Sequence, residues 1–275
     1  MSVRRQSAIT SPHTDQTQPP PARSQQFLAV SHILYALCEE PEIGVLELAR
    51  KVGISVGTAQ RITAALAGTG LLAWSPYTRK YSLGDGVLRL GNAYAHKGSQ
   101  QLQRCLLEIE RLSKVTRETA AVHRRVGRHR VILAQVEGSH DLCWRSEIGR
   151  PYPLHAGAAS KALLAFIPPL QLDELLQDHI FEAYQPATPR TRDALNADLE
   201  TVRRIGVAVS FGERATGAGG VAAPVIDAAG LCEYALSIYG PEHRIRPLVD
   251  ELIQTVRQAA ARVSSSAISD EGAIP

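Results

Sequence analysis

The side chains best suited to chemistry fall in two clusters, the first running from Ser55 to Lys80. Ser55, Val56, Gly57, Thr58, Gln60 and Arg61 open it, and Arg79 and Lys80 close it. Small polar side chains with Gln and Arg near a helix N-terminus can enter a major groove and reach base edges or phosphates. Arg79 and Lys80 sit where a basic hairpin would lie along the nucleic-acid backbone. The second cluster is His155-Ala-Gly-Ala-Ala-Ser160, small residues at the start of another helix. Free backbone N–H groups and the helix dipole make such a place an anion site, with a carboxylate as natural guest. A second account stays open: Gly157, Ala158 and Ala159 allow close helix–strand packing and nothing more.

Catalysis is the alternative of a different class. His155, Ser160, Glu213 and His243 are the residue types of a hydrolase site, which would make the C-terminal half catalytic. No Gly-x-Ser-x-Gly elbow surrounds Ser160, and His155 reads as a packed or capping histidine. The Gly212–Gly220 loop lacks both the Lys-Ser/Thr of a phosphate-binding loop and the dinucleotide fingerprint. The nine histidines show no ligand spacing with carboxylates or thiols, so neither metal nor cofactor is expected. The reading is therefore a binding protein and not an enzyme.

Two helices and a hairpin must position the first cluster. Leu46, Leu48, Ala49 and Val52 recur at helical spacing over Val45–Val52. Gly53 can end that helix in a left-handed conformation. Ile54 can plug the space between helices, and Ser55 is a good N-cap. The next helix, about Val56 to Ala67, buries Ala59, Ile62 and Leu66 and presents Gly57, Thr58, Gln60, Arg61 and Thr63. Leu71–Trp74 and Arg79–Leu83 then flank a polar turn. Helix, turn, helix and basic hairpin in that order outline a winged helix-turn-helix, and agreement of turn, cap and wing supports it. An upstream helix with Phe27, Val30, Ile33, Leu34 and Leu37 inward ends before Pro41 and scaffolds it.

A chain of 275 residues suggests two domains. With 44 % hydrophobic and 21 % charged residues and a net charge of +3, it reads as an ordinary soluble protein without a uniformly basic surface. Nucleic-acid contact would be local. Cys38, Cys105, Cys143 and Cys232 lack metal or disulfide spacing and read as reduced thiols. No run is apolar enough to cross a bilayer and no secretory signal follows Arg4 and Arg5, so the expected location is cytoplasmic.

Residues 1–23, rich in Gln, Thr, Ser and Pro, read as a disordered arm. Residues 86–97 form an amphipathic helix, either a core helix of the first domain or a linker helix that pairs with its copy; Gly98-Ser99 marks a hinge. Further helices are expected at Leu102–Thr116 (Leu106, Leu107, Ile109 and Leu112 inward), Ala156–Phe166, Leu170–Leu176, Arg192–Ile205 and Arg246–Val263. Strands are expected at Thr119–Arg124, Arg130–Val136, Leu142–Ser146, Gly206–Phe211, Val221–Ile226 and Cys232–Tyr239. Antiparallel strands with helices on one side or at the ends make an α+β domain, and the tail from Ser264 frays.

Several stretches carry a more specific resemblance. They are Glu47-Leu-Ala-Arg-Lys-Val-Gly-Ile-Ser55 leading into Thr58-Ala-Gln-Arg-Ile62, Lys80-Tyr-Ser-Leu-Gly84, and Ile148-Gly-Arg-Pro-Tyr-Pro-Leu-His-Ala-Gly157 with Ser160-Lys-Ala-Leu-Leu-Ala165. Val221-Ala-Ala-Pro-Val225 and Ala235-Leu-Ser-Ile-Tyr-Gly240 complete the series. From about residue 24 to 263 the chain resembles the IclR family of bacterial transcriptional regulators. The resemblance implies a winged helix-turn-helix at 24–84, a linker helix at 85–99, a GAF-like effector-binding domain at 100–263 and a flexible tail at 264–275. It also implies a homodimer or dimer of dimers on a pseudopalindromic operator of double-stranded DNA. Such a protein would repress or activate a catabolic operon in response to a small organic acid.

The family's ligand contacts fall near Ala158, Ala159, Ser210, Ala218, Gly220, Ser237 and Tyr239, with Leu142 and Trp144 as walls. The chain also departs from its relatives. Val56 and Gly57 stand where a basic or polar residue and then Ser are usual, so direct reading leans on Thr58, Gln60 and Arg61, with Val56 against a thymine methyl. Gly57 either lets backbone approach phosphate or is neutral. Ser210 replaces an acidic residue and Tyr239 a Ser, which implies an aromatic or bulky acid, unless Tyr239 fills the pocket and leaves room only for something small.

Overall fold

The N-terminal helices end where their sequences tell them to. In the computed structural model, which describes residues 22–96 and 100–270, α1 spans Ala22–Glu39, α2 Val45–Val52 and α3 Val56–Gly68. Gly53, at φ 76°, closes α2, its N–H returning to the carbonyl of Ala49. Ser55 caps α3, its Oγ accepting the N–H of Thr58. Strands β1 (Leu72–Ser75) and β2 (Lys80–Leu83) form an antiparallel hairpin, and a bridge from Ile43 to Tyr81 adds a third short edge. Helix α4 (Asp85–His96) follows. Ile33, Ala36, Leu37, Ile43, Leu48, Leu66 and Leu72 make the core of this unit. It is a winged helix-turn-helix.

Three face assignments, two inward and one outward, are corrected. Phe27 is 75 % and Leu46 69 % exposed, while Thr63 is fully buried, its hydroxyl donating to the carbonyl of Ala59. A helical period admits a stripe that can be rotated by one residue. Only packing partners choose the rotation, and Thr63 can turn inward because its own helix satisfies its hydroxyl.

The chain divides into two compact units at residues 97/98. In the second, α5 (Gln100–Thr116), β3 (Thr119–Val126), β4 (His129–Val136) and β5 (Tyr152–Pro153) precede α6 (Ala158–Ala165), α7 (Pro169–Leu176) and α8 (Arg192–Ile205). Strands β6 (Ala208–Phe211), β7 (Ala218–Ile226) and β8 (Cys232–Pro241) follow, then α9 (Glu242–Ile245), a 3₁₀ turn at Arg246–Leu248, and α10 (Val249–Asp270). The strands form one sheet in the order β5-β4-β3-β8-β7-β6, antiparallel throughout.

Side chains alternate across this sheet, and both faces are covered. Ala120, Val122, Val221, Ala223, Leu236 and Ile238 meet α5 and α10 through Ile109, Leu112, Leu252 and Val256. Ala208, Ala222 and Ala235 meet α6 and α8 through Ala162, Leu163, Leu195 and Leu199. The sheet is thus sandwiched, where helices on one side or at the ends were expected. On α5 the inward set is Leu102, Cys105, Ile109 and Leu112, whereas Leu107 is 67 % exposed.

Leu142–Ser146 is not a strand. Its carbonyls go to side chains instead: Leu142 accepts from Arg244 and Trp144 from Thr119. The edge of the sheet is taken by Tyr152 and Pro153 opposite Arg130 and His129. The last helix runs on to Asp270 rather than fraying from Ser264, whose hydroxyl donates to Ala260 and accepts from the N–H of Ile226. Residues 1–21 of the expected arm, the Gly98-Ser99 hinge and 271–275 lie outside the described residues.

Candidate functional site

On the winged unit, α3 leaves Ser55, Val56, Gly57, Gln60 and Arg61 exposed. Thr58 is half-buried and its hydroxyl is 2.9 Å from that of Ser55, so the cap draws it toward the helix N-terminus. Arg79 and Lys80 are exposed on the wing, Arg79 in a left-handed conformation at φ 55° that a non-glycine residue adopts only under local constraint. Its N–H bonds the carbonyl of Ser75 across the turn, and Trp74 packs on Tyr81 beneath, ring centroids 4.7 Å apart. Tyr77 stands at the tip, almost wholly exposed. The sequence reading passed over it because a lone turn tyrosine gives no periodic signal.

On the second unit, period two puts Ser210, Gly220, His123, Ser237 and Tyr239 on the α6 side of the sheet, next to the alanines that α6 covers. The residues beyond α6 line a cavity of about 120 Å³. Of the expected contacts, Trp144, Ala158, Ala159, Ser210, Ala218, Gly220, Ser237 and Tyr239 line it; Leu142, 66 % exposed, does not. Gly157, at φ 93°, turns the chain into α6, a backbone that L side chains resist. The first-turn N–H groups of Ala158 and Ala159 have no carbonyl within their own helix.

The sequence reading missed His123, Arg130, Ser146 and Arg214 as lining residues, and met Glu213 only as a catalytic candidate. Arg130 is buried; its Nε donates to Ser160 Oγ at 3.0 Å and one terminal nitrogen to His123 Nδ1 at 2.7 Å. Arg130 and Arg214 both stand over the ring of Tyr152, at 4.7 and 4.0 Å from its centroid. Burial first, and then Arg214, lower the Arg130 pKa to about 9. Among the described residues no carboxylate pairs with either guanidinium. Glu213 is occupied: its oxygens take the N–H of Gly157 at 2.8 Å and the ammonium of Lys161 at 2.6 Å. Tyr239 lines the wall, but its phenol proton is committed to Gln135 Oε1 at 2.7 Å. A signal for the missing cations was present, since His123 and Arg130 fall on inward positions of otherwise apolar strands.

The hydrolase constellation does not assemble. Ser160 donates to the carbonyl of Pro153, Glu213 is tied to Lys161, and His243 is exposed. His155 is fully buried between the carbonyl of Glu182, 2.9 Å from Nε2, and Nε2 of His179, 2.7 Å from Nδ1. It is a packed histidine, stacked on Tyr184. Among the described residues no group of three or more His, Cys, Asp or Glu could hold a metal, and no helix is long and apolar enough to cross a membrane.

Two histidines carry a pH prediction. Burial and then Arg130 and Arg214 hold His123 well below the usual range; burial and then His155, Arg128 and His129 hold His179 at about 4. Both folded-state values lie below the unfolded one, so the unfolded chain binds more protons. Stability is full above about pH 6.5 and is lost as pH falls toward the folded values, the buried His123 contributing up to about 1.4 kcal/mol per pH unit and the partly exposed His179 less, because solvent screens it. Denaturant melts at about pH 7 and about pH 5 should show this loss, and H123Q should remove part of it. Equal stability at the two pH values would contradict the assignment.

A winged helix-turn-helix followed by a sheet domain with a cation-lined cavity defines a DNA-binding regulator with its own ligand-binding domain. Residues 100–265 match the family model for the C-terminal part of bacterial transcriptional regulators of the IclR type, and residues 31–72 match a winged helix-turn-helix DNA-binding model. The chain belongs to the IclR family. It is 31 % identical over 224 residues to the HTH-type transcriptional regulator KdgR of Dickeya chrysanthemi, covering 82 % of this chain and 73 % of that one. An IclR transcriptional regulator from Alicyclobacillus acidocaldarius superposes with a TM-score of 0.77 at 21 % identity, over 91 % of this chain and 100 % of the other. An IclR homologue from Microbacterium hydrocarbonoxydans complexed with 4-hydroxybenzoate gives 0.76 at 21 %, over 89 % and 99 %. The protein is a DNA-binding transcriptional regulator, and the enzyme alternative has no support.

Proposed function

We propose that this regulator is switched by a small organic monocarboxylate, with an aromatic ring as the favoured body, lodged in the α6 cavity. The carrying observation is the pair Arg130 and Arg214, two largely buried guanidiniums without a carboxylate partner among the described residues. A buried charge left unpaired costs several kcal/mol, and a bound anion beside the free amides of Ala158 and Ala159 removes that cost. With Lys161 set against Glu213 and Asp198, the charges sum to +1, which a monoanion balances. The cavity, about 120 Å³, approaches the ~150 Å³ that holds benzene elsewhere. Trp144 and Tyr239 supply aromatic walls, and a homologue of the same fold binds 4-hydroxybenzoate. Calorimetric titration should show binding of benzoate or 4-hydroxybenzoate. Binding of glyoxylate or pyruvate with none of aromatic acids overturns the aromatic part.

DNA is read by Ser55, Val56, Gly57, Thr58, Gln60 and Arg61 of α3, with Arg79 and Lys80 on the phosphate backbone of a pseudopalindromic operator. The working form is a homodimer or dimer of dimers, and exposed Leu88 and Leu90 on α4 suit pairing with a second copy. The ligand acts by favouring one arrangement of the oligomer over another. Replacing Arg61 with Ala should weaken binding to the protein's own upstream region about tenfold or more. Unchanged affinity in a salt-matched gel shift would remove Arg61 from the interface.

A further inference from the structure

His123 lies buried on β3 with both ring nitrogens engaged: a terminal nitrogen of Arg130 is 2.7 Å from Nδ1, and Ser237 Oγ is 2.6 Å from Nε2. The partners fix the direction of each bond. A guanidinium can only donate, so Nδ1 must offer its lone pair. A neutral imidazole with a bare Nδ1 carries its hydrogen on Nε2, and that hydrogen goes to Ser237. Ser237 thereby accepts from within the protein, and its own hydrogen has no acceptor among the described residues. Ser160 differs, since it accepts from Arg130 and donates to Pro153. Ser237 lines the cavity beside Arg130, Arg214, Ala158 and Ala159.

The charged and titratable groups around His123 are Arg130 from β4, Arg214 from the loop after β6, Tyr152 from β5 and Tyr239 from β8. Glu213 also lines the cavity, but its oxygens are taken by Gly157 and Lys161. Nothing here favours a proton on Nδ1.

The geometry points to His123 as a specificity-determining residue that turns Ser237 into a donor toward the cavity, so that the site prefers a carboxylate to its isosteric primary amide. This deepens the organic-acid reading and rests on it. A carboxylate only accepts, and the groups set to meet it, Arg130, Arg214, Ser237 and the amides of Ala158 and Ala159, all donate. An amide sets its own N–H groups against donors that cannot receive them. Leaving buried donors unmet costs enough for on the order of a hundredfold preference for the acid.

Two measurements on the full-length protein test this. Nitrogen NMR of isotope-labelled histidine, with His123 assigned by its loss in H123Q, should show the Nε2–H tautomer and no titration from about pH 8 to about pH 5. An Nδ1–H tautomer, or titration in that range, overturns the relay. Calorimetry then compares benzoate with benzamide and acetate with acetamide on wild type, H123L, H123Q and S237A. H123L and S237A should cut the acid-to-amide ratio by about tenfold or more. H123Q, whose carboxamide can accept from Arg130 and donate to Ser237, should restore most of it and serves as the folded comparison. If acids bind but H123L and S237A keep the wild-type ratio, the relay falls and the organic-acid reading stands. If neither acid binds wild type, that reading falls and the relay with it.

Discussion

K161M is expected to destabilise the second unit by about 3–5 kcal/mol. Lys161 sits in α6 with its side chain 4 % exposed, its ammonium 2.6 Å from Glu213, which is 7 % exposed, and 3.0 Å from Asp198, which is 41 % exposed. Methionine keeps the stem and removes the charge. Glu213 is then a buried carboxylate held only by the N–H of Gly157. For a unit of this size the cost is a fall in melting temperature on the order of 10 °C, read by calorimetry at about pH 7. K161M/E213M should recover much of it, because the buried charge disappears with its partner. D198N should cost no more than about 1 kcal/mol, since its carboxylate is largely in water. A K161M melt within about 1 kcal/mol of wild type would show that water reaches Glu213 and that the ion pair is not structural.

G84A should disable the winged unit while leaving the cavity intact. A Cβ on Gly84 would collide with the carbonyl oxygen of Gly70 and come within 3.0 Å of the carbonyl group of Leu72. Every obstacle is backbone, held in place because the N–H of Gly84 bonds Leu71 and that of Gly86 bonds Gly70. Neither partner can rotate away, so the methyl must pry the end of β2 from the start of β1, at about 1–3 kcal/mol or more. The small core around Ile33, Leu48 and Leu66 has little to offset this. Operator affinity should fall more than tenfold, each tenfold being about 1.4 kcal/mol, with calorimetric binding of the acid unchanged. Wild-type operator binding by G84A would mean that the wing does not need this close approach. Gly57 is the natural control, since a Cβ there meets nothing within 4 Å. G57A should therefore keep or raise stability, and a loss of DNA affinity alone would identify Gly57 as a point of backbone approach to phosphate.

The winged unit was legible because its signals are local. Gly53 and Ser55 punctuate within three residues, and the hairpin follows directly. What was misread there, at Phe27, Leu46 and Thr63, concerns which rotation of an amphipathic helix is buried. In the second unit most helices and strands were legible by period, and the small residues at Ala158, Ala159 and Gly220 marked where a backbone had to come close. The Leu142–Ser146 segment was misread because its alternation matches a strand, while its carbonyls are claimed by Thr119 and Arg244 from distant parts of the chain.

Local pattern alone therefore determined most of the element types, the cap and turn chemistry, and the presence of a helix start suited to an anion. Only tertiary structure decided the charge of the cavity. Arg130 and Arg214 are separated by a long stretch of chain, and it is the β4–β5 pairing and the turn after β6 that bring both over Tyr152. Likewise His123 meets Ser237 only because β3 pairs with β8. Periodicity reports which face a side chain occupies, but the partner strand is chosen by the packing of the whole sheet. A buried cation's missing counter-charge becomes visible only once all its neighbours are in place.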